Sequence, residues 1–205
     1  MCNHSAEYIK ASVIDWLLCR HNDIIIGNEI MYGTTRKVVD LLAIVDNKTI
    51  AIEIKGAADK LVRLPEQLEE YKKVFDKVVV VAAPSHIEGI AHIVPHGTGL
   101  FVSKKNTIKR LNSPLVNHKQ DKLEMLNSVS SAYLKKQYPQ YRALNENEIR
   151  LLLSKEKKAD IQRLLVSFYR QRLSEKFQLF LSERGENTLV DDIPTLSTFM
   201  LVDES

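Results

Sequence analysis

The sequence predicts a mixed α/β domain, an open sheet flanked by helices, followed by an α-helical region. Three observations carry this expectation. Strand-length apolar runs between about 23 and 83 alternate with segments of helical period. Beyond Pro114 the pattern becomes helical. The charge divides along the same line: Lys104 to Lys176 holds 17 Lys+Arg against 7 Asp+Glu, a net of +10, and the rest of the chain nets −7. The boundary is placed at Pro114, giving an α/β domain over 1–114 and a basic helical region with an acidic tail over 115–205.

Residues 4–20 form the first expected helix, with Tyr8, Ile9, Ile14, Trp16, Leu17 and Leu18 in a broad apolar stripe and Ser5 at its start. Residues 23–32 hold Ile24-Ile25-Ile26 and Ile30-Met31-Tyr32, one strand expected to kink at Gly27. Residues 37–45 are apolar on both faces except for Asp40, the mark of a central strand. Asp46-Asn47-Lys48-Thr49 is a tight turn, because Asn tolerates positive φ, and residues 50–56 return as the next strand. Leu64 to Phe75 is a helix with Pro65 in its first turn, and KVVVVAA over 77–83 is a buried strand. A short helix over 85–93 and short strands at 99–103 and 107–111 complete the sheet. The later helices are expected at about 119–137 and 146–184, the second broken near Lys157, with residues 185–205 as a tail.

Composition excludes several classes. The 205 residues are 44% hydrophobic and 27% charged, with a net charge of +3, ordinary for a globular domain that buries its own core. Two cysteines, Cys2 and Cys19, point to a reducing cytosol rather than a disulfide scaffold, and Cys19 is expected on the buried side of the first helix. The N-terminal residues lack a signal-peptide pattern, and no apolar run is long enough to span a membrane. The expected location is therefore cytoplasmic. The basic helices would hold DNA or pair two copies as a homodimer; a lysine-rich solvated surface is the plain alternative.

Chemistry concentrates on the hairpin. With Asn47 and Lys48 at the centre of the turn, Val45 faces Ile50, Leu42 faces Glu53 and Asp40 faces Lys55. Alternation along a strand then places Asp40, Glu53 and Lys55 on one face. An isolated Glu-x-Lys is usually a solvated strand face, but an Asp inside VVDLLAIV is disfavoured by strand propensity. A divalent cation between the carboxylates offsets their repulsion. Mg²⁺ takes oxygen ligands, and Asp40, Glu53 and the main-chain carbonyl of Ile54 form such a set. A lysine beside them orients a water or stabilises charge on a phosphoryl group, which suits phosphodiester hydrolysis.

Val39-Asp40, a turn, then Glu53-Ile54-Lys55 resembles the signature of the PD-(D/E)XK nuclease superfamily. Gln67 and Tyr71, four apart on the next helix, resemble the QxxxY motif of its RecB-like and phage-exonuclease-like members. The stretch EIKGAADKLVRLPEQLEEYKKVFDKVVVV is similar to a group of small bacterial and phage proteins with an EIK…QxxxY pattern. The resemblance covers roughly residues 7–114. It implies a restriction-endonuclease-like αβββαβ core and a nuclease requiring Mg²⁺ or Mn²⁺, with Asp40 and Glu53 on the metal and Lys55 serving the attacking water. Gln67 and Tyr71 would position phosphate or the lysine, with core packing the alternative for Tyr71. Glu7 would complete the site, with Glu29 its competitor.

Arg36, Lys60 and Arg63 flank the expected site as candidate DNA phosphate contacts, with plain surface charge the alternative. His92 and His96 lie four apart, but Pro95 and Gly97 argue against a shared helix and so against zinc. The expectation is a Mg²⁺- or Mn²⁺-dependent deoxyribonuclease in which Asp40→Ala or Lys55→Ala abolishes cleavage and leaves the fold intact. A nuclease-like fold that only binds nucleic acid or a protein is the alternative.

Overall fold

The computed structural model describes residues 5–105 and 107–198. Cys2 and residues 199–205 of the expected tail lie outside them. Six strands form one mixed sheet in chain order: β1 (Ile24–Tyr32), β2 (Lys37–Val45), β3 (Lys48–Lys55), β4 (Lys77–Ala82), β5 (Gly99–Lys104) and β6 (Thr107–Asn112). β1, β2 and β3 are successively antiparallel; β4 and β5 run parallel to β3, and β6 turns back against β5. The run of valines in β4 follows from this order, since a central parallel strand is buried on both faces.

Helices cover both faces. α1 (Ala6–Leu18) packs Ile9, Ile14 and Leu17 on the face that carries Ile26, Leu41, Ile52 and Val81. The other face, with Leu42, Ile44, Ala51 and Val80, lies under α2 (Leu64–Lys72) and α3 (Ile87–Ile93). The same hydrophobic cluster contains α4 (Lys122–Asn127), α5 (Ser131–Gln137), α6 (Glu146–Leu153) and much of α7 (Lys158–Glu183). The helices after Pro114 therefore share a core with the sheet. Three of their cations brace the fold: Lys122 donates to the carbonyls of Ser154 and Glu156, Arg150 to those of Leu126 and Val129, and Lys158 to that of His118.

Several details depart from expectation. The stretch 119–137 is two helices, because Ser130 is extended and its hydroxyl caps the N–H of Tyr133. β1 runs through Gly27, where an added Cβ would stand 2.8 Å from Leu173 of α7; the glycine admits a helix. The irregularity falls two residues later, at Glu29, with φ 53°. Cys19 is exposed, because α1 ends at Leu18 and leaves it beyond the last turn. The described part of the expected tail is docked: residues 190–196 form a 3₁₀ turn that buries Ile193 and Leu196. Thr188 donates twice to Asp15, and Ser197 bridges to Asn28 of β1. Among the described residues, no helix is long and apolar enough to cross a membrane.

Candidate functional site

The β2–β3 turn is centred on Asp46 and Asn47, both with positive φ (50° and 55°), the conformation of a two-residue hairpin turn. Val45 consequently pairs with Lys48, and the register is two residues away from the expected one. A shift of two preserves the facing of every side chain, whereas a shift of one would have reversed it. The ladder ends at the pair Leu41↔Ile52, and its continuation sets Asp40 across from Glu53 rather than Lys55. Beyond that pair β3 is held by β4, with Glu53, Ile54 and Lys55 beside Val80, Val81 and Ala82. The Ile54 N–H donates to Asp40 Oδ2 at 2.8 Å, a side chain replacing a strand partner.

Glu53 is 1% exposed, and both its oxygens are engaged. Lys55 Nζ lies 2.6 Å from Oε1, and the Tyr71 hydroxyl donates to Oε2. Lys55 Nζ also reaches Gln67 Oε1 at 3.2 Å, so α2 brings Gln67 and Tyr71 to the strand end together. The Tyr71 ring packs against Tyr32 and Phe75, so core packing and contact with the site coexist in one residue. An ammonium carries three N–H donors; two face Glu53 and Gln67, and the third is left for a water or a phosphate oxygen.

Burial first, and then the neighbouring Glu53, push the Asp40 carboxyl up to about 6, while the Ile54 N–H, Lys10 and Lys55 pull the other way. Burial, with the charges of Glu53 and Asp40, holds the Tyr71 phenol far above its ordinary range, so it stays a hydrogen-bond donor.

These groups open on a cleft of about 690 Å³. Glu7 and Lys10 of α1, Glu29, the loop residues Asp59, Lys60 and Arg63, and Gln67 line it with the strand residues. Glu7 and Glu29 are both at the cleft, and Glu29 stands 3.8 Å from Lys10. Arg36 is elsewhere: it sits in the β1–β2 turn, where its charge acts on Glu146, Tyr169 and Arg172. Lys10 and Asp59 were not expected. Lys10 follows Glu7 by three on a helix, so any reading that placed Glu7 at the site also placed Lys10 near it. Asp59 closes the loop by accepting the Gly56 N–H at 2.7 Å.

Gly56 joins this loop to α1. A Cβ there would lie 2.6 Å from the Ala6 main-chain nitrogen. Gly56→Ala is expected to push the start of α1 away from the cleft and to cost about 1–3 kcal/mol, read as a lowered denaturation midpoint.

The donors suit a hard divalent cation. Two carboxylates crowd one strand end, where burial and the neighbouring Glu53 raise the Asp40 carboxyl. Among the described residues, no three His, Cys, Asp or Glu side chains group as a metal cage. Asp40, Glu53 and the Ile54 carbonyl are the oxygen atoms at this strand end that could hold such an ion.

Residues 2–197 match the family described as Bacteriophage P4 protein cII. Protein cII of Enterobacteria phage P4 is 27% identical over 204 residues, which cover 93% of this chain and 77% of that protein. Among solved structures, the SPO1766 protein of unknown function from Silicibacter pomeroyi aligns with 70% of this chain and 94% of its own, at a TM-score of 0.45 and 13% identity.

Proposed function

We propose that this chain, which belongs to the bacteriophage P4 protein cII family, is a metal-dependent nuclease that hydrolyses DNA phosphodiester bonds. The observation that carries the reading is the cluster of Asp40, Glu53 and Lys55 at the open end of two central strands, with Lys55 Nζ 2.6 Å from Glu53. The succession of α1, three antiparallel strands, α2 and a parallel β4 supports a restriction-endonuclease-like core. Mg²⁺ or Mn²⁺, when bound, would supply Lewis-acid stabilisation of the phosphoryl charge. Lys55 orients the attacking water with its remaining N–H, while Gln67 and Tyr71 fix the lysine and Glu53 in place. Lys60 and Arg63, at the cleft, contact backbone phosphates and set the register of the duplex. The basic C-terminal helices add charge for DNA or join a second copy.

The test incubates the purified protein with linear and circular, single- and double-stranded DNA, with Mg²⁺, with Mn²⁺ and with chelator, beside Asp40→Asn. Metal-dependent loss of DNA that disappears in the variant is the expected result. Equal cleavage by the variant rejects the assignment. Lys55→Ala is a poorer control than the sequence implies. It leaves Glu53 buried without its cation, at a cost of about 3–5 kcal/mol, so circular dichroism must show it folded first.

One observation favours a second reading, a module that binds nucleic acid or a protein without cutting. Both Glu53 oxygens and Asp40 Oδ2 already have protein donors, which leaves few carboxylate lone pairs for a metal. Full DNA affinity in chelator, with no cleavage of any DNA form, selects this reading.

A further inference from the structure

A second cavity lies away from the cleft, on the sheet face that carries α1. It measures about 360 Å³ and is walled by Trp16 and Leu17 of α1 and by Ile52, Val79, Phe101 and Ile108 of the sheet. A half-open pocket of this size with mostly apolar walls has the dimensions of a small-ligand site.

Its charged groups are mostly positive, with His21 and Ser113 as the further polar lining residues. Lys48, Lys77 and Arg110 line it, against a single acid, Asp46. Lys48 is partly neutralised by Asp76 at 3.8 Å, but among the described residues neither Lys77 nor Arg110 makes an ion pair. Trp16 borders the chamber with its ring, while its indole N–H is buried away from open space. The ring itself is fixed, edge-on to Phe101 at 5.3 Å and capped by the Arg20 guanidinium at 4.4 Å. An apolar chamber bordered by cations is complementary to an apolar body ending in an acidic group.

We propose that the cavity between α1 and strands β3–β6 binds a small amphipathic anion, an aromatic or short acyl body bearing one carboxylate or sulfonate. The body occupies the space beneath Trp16, and the acid group faces Lys77 and Arg110. The site is independent of the DNA-cleaving reading, since it shares no lining residue with the catalytic cleft.

Trp16 is the sole tryptophan, which gives a local readout. The full chain is titrated with anilinonaphthalene sulfonate while Trp16 emission and probe emission are followed. The expected result is saturable binding of one probe per chain, quenching of Trp16, and displacement by decanoate. Arg110→Glu should weaken binding about tenfold or more, the loss of one charge-assisted contact. Val79→Phe, which fills the chamber, should abolish it. Absence of saturable binding overturns the proposal, as does unchanged binding in folded Val79→Phe or equally tight binding of the uncharged anilinonaphthalene. Should Val79→Phe fail to fold, Arg110→Glu, at an exposed position, decides alone: unchanged affinity rejects the site.

Discussion

Asp40→Asn is expected to abolish DNA cleavage and at the same time to make the protein more stable at pH 7.5 in chelator. The two effects share a cause. Burial and Glu53 raise the Asp40 carboxyl from 3.8 to about 6 in the folded chain. Below about pH 4 the group is protonated in both folded and unfolded chains and contributes no difference. As the pH rises from about 4 to about 6 the unfolded chain releases its proton while the folded chain keeps it, so stability falls. Above about pH 6 the whole penalty, about 2–3 kcal/mol, is present. Asparagine removes the charge and keeps an oxygen for the Ile54 N–H. Its midpoint should therefore exceed that of wild type at pH 7.5, and the gap should close toward pH 4. Under the proposed mechanism several kcal/mol of charge stabilisation act through this carboxylate, so cleavage should fall about a hundredfold or more. Denaturation curves at four or five pH values, with cleavage rates from the same preparations, check both halves. A variant less stable than wild type at neutral pH would show Asp40 to be a strand-end brace rather than a group held ready for a cation.

Asp76→Ala should give the largest loss of stability without touching the cleft. Asp76 is buried and accepts the Thr49 N–H and hydroxyl, both at 2.9 Å, and the amides of Gln120 and Gln162 at 3.2 and 3.0 Å. It ties the start of β3 to α7 and to the segment before α4. Alanine orphans buried donors from three parts of the chain, a loss of about 3–5 kcal/mol. At about 2–4 °C per kcal/mol for a chain of this size, the melting point should drop by about 10 °C or more. Cleavage at 20 °C should be retained, because the site residues sit at the opposite end of β3. A drop of less than about 3 °C would show that water replaces the lost acceptor.

The order of elements through β6 was legible because each is short and punctuated: Pro65 opens α2, Asp46-Asn47 closes the hairpin, and the valines of β4 admit one environment. Strand alternation also carried the shared facing of Asp40, Glu53 and Lys55, which survived an incorrect turn position because the register moved by two. Other features depend on distant partners. Nothing local distinguishes residues 188–197 from a loose tail; Asp15 and Asn28 hold them, both far away in sequence. Lys10 was legible only through Glu7, three residues before it on the same helix, since a lysine on an amphipathic helix carries no signal of its own. The acidic role of Asp76 was equally silent, since a single Asp between Phe75 and Lys77 reads as the end of a helix.

The bridge from Ser197 to Asn28 bears on the order in which the molecule assembles. A two-residue hairpin such as β2–β3 closes in about microseconds from residues that emerge together. Asn28 binds Ser197 across 169 positions and holds Lys10 at 2.8 Å with its other atom. Contacts of such separation carry a larger loop-closure cost than those of a hairpin and form after them. The β2–β3 pair is thus local in sequence, whereas the α1 wall of the cleft depends, through Lys10 and Asn28, on a contact 169 positions away.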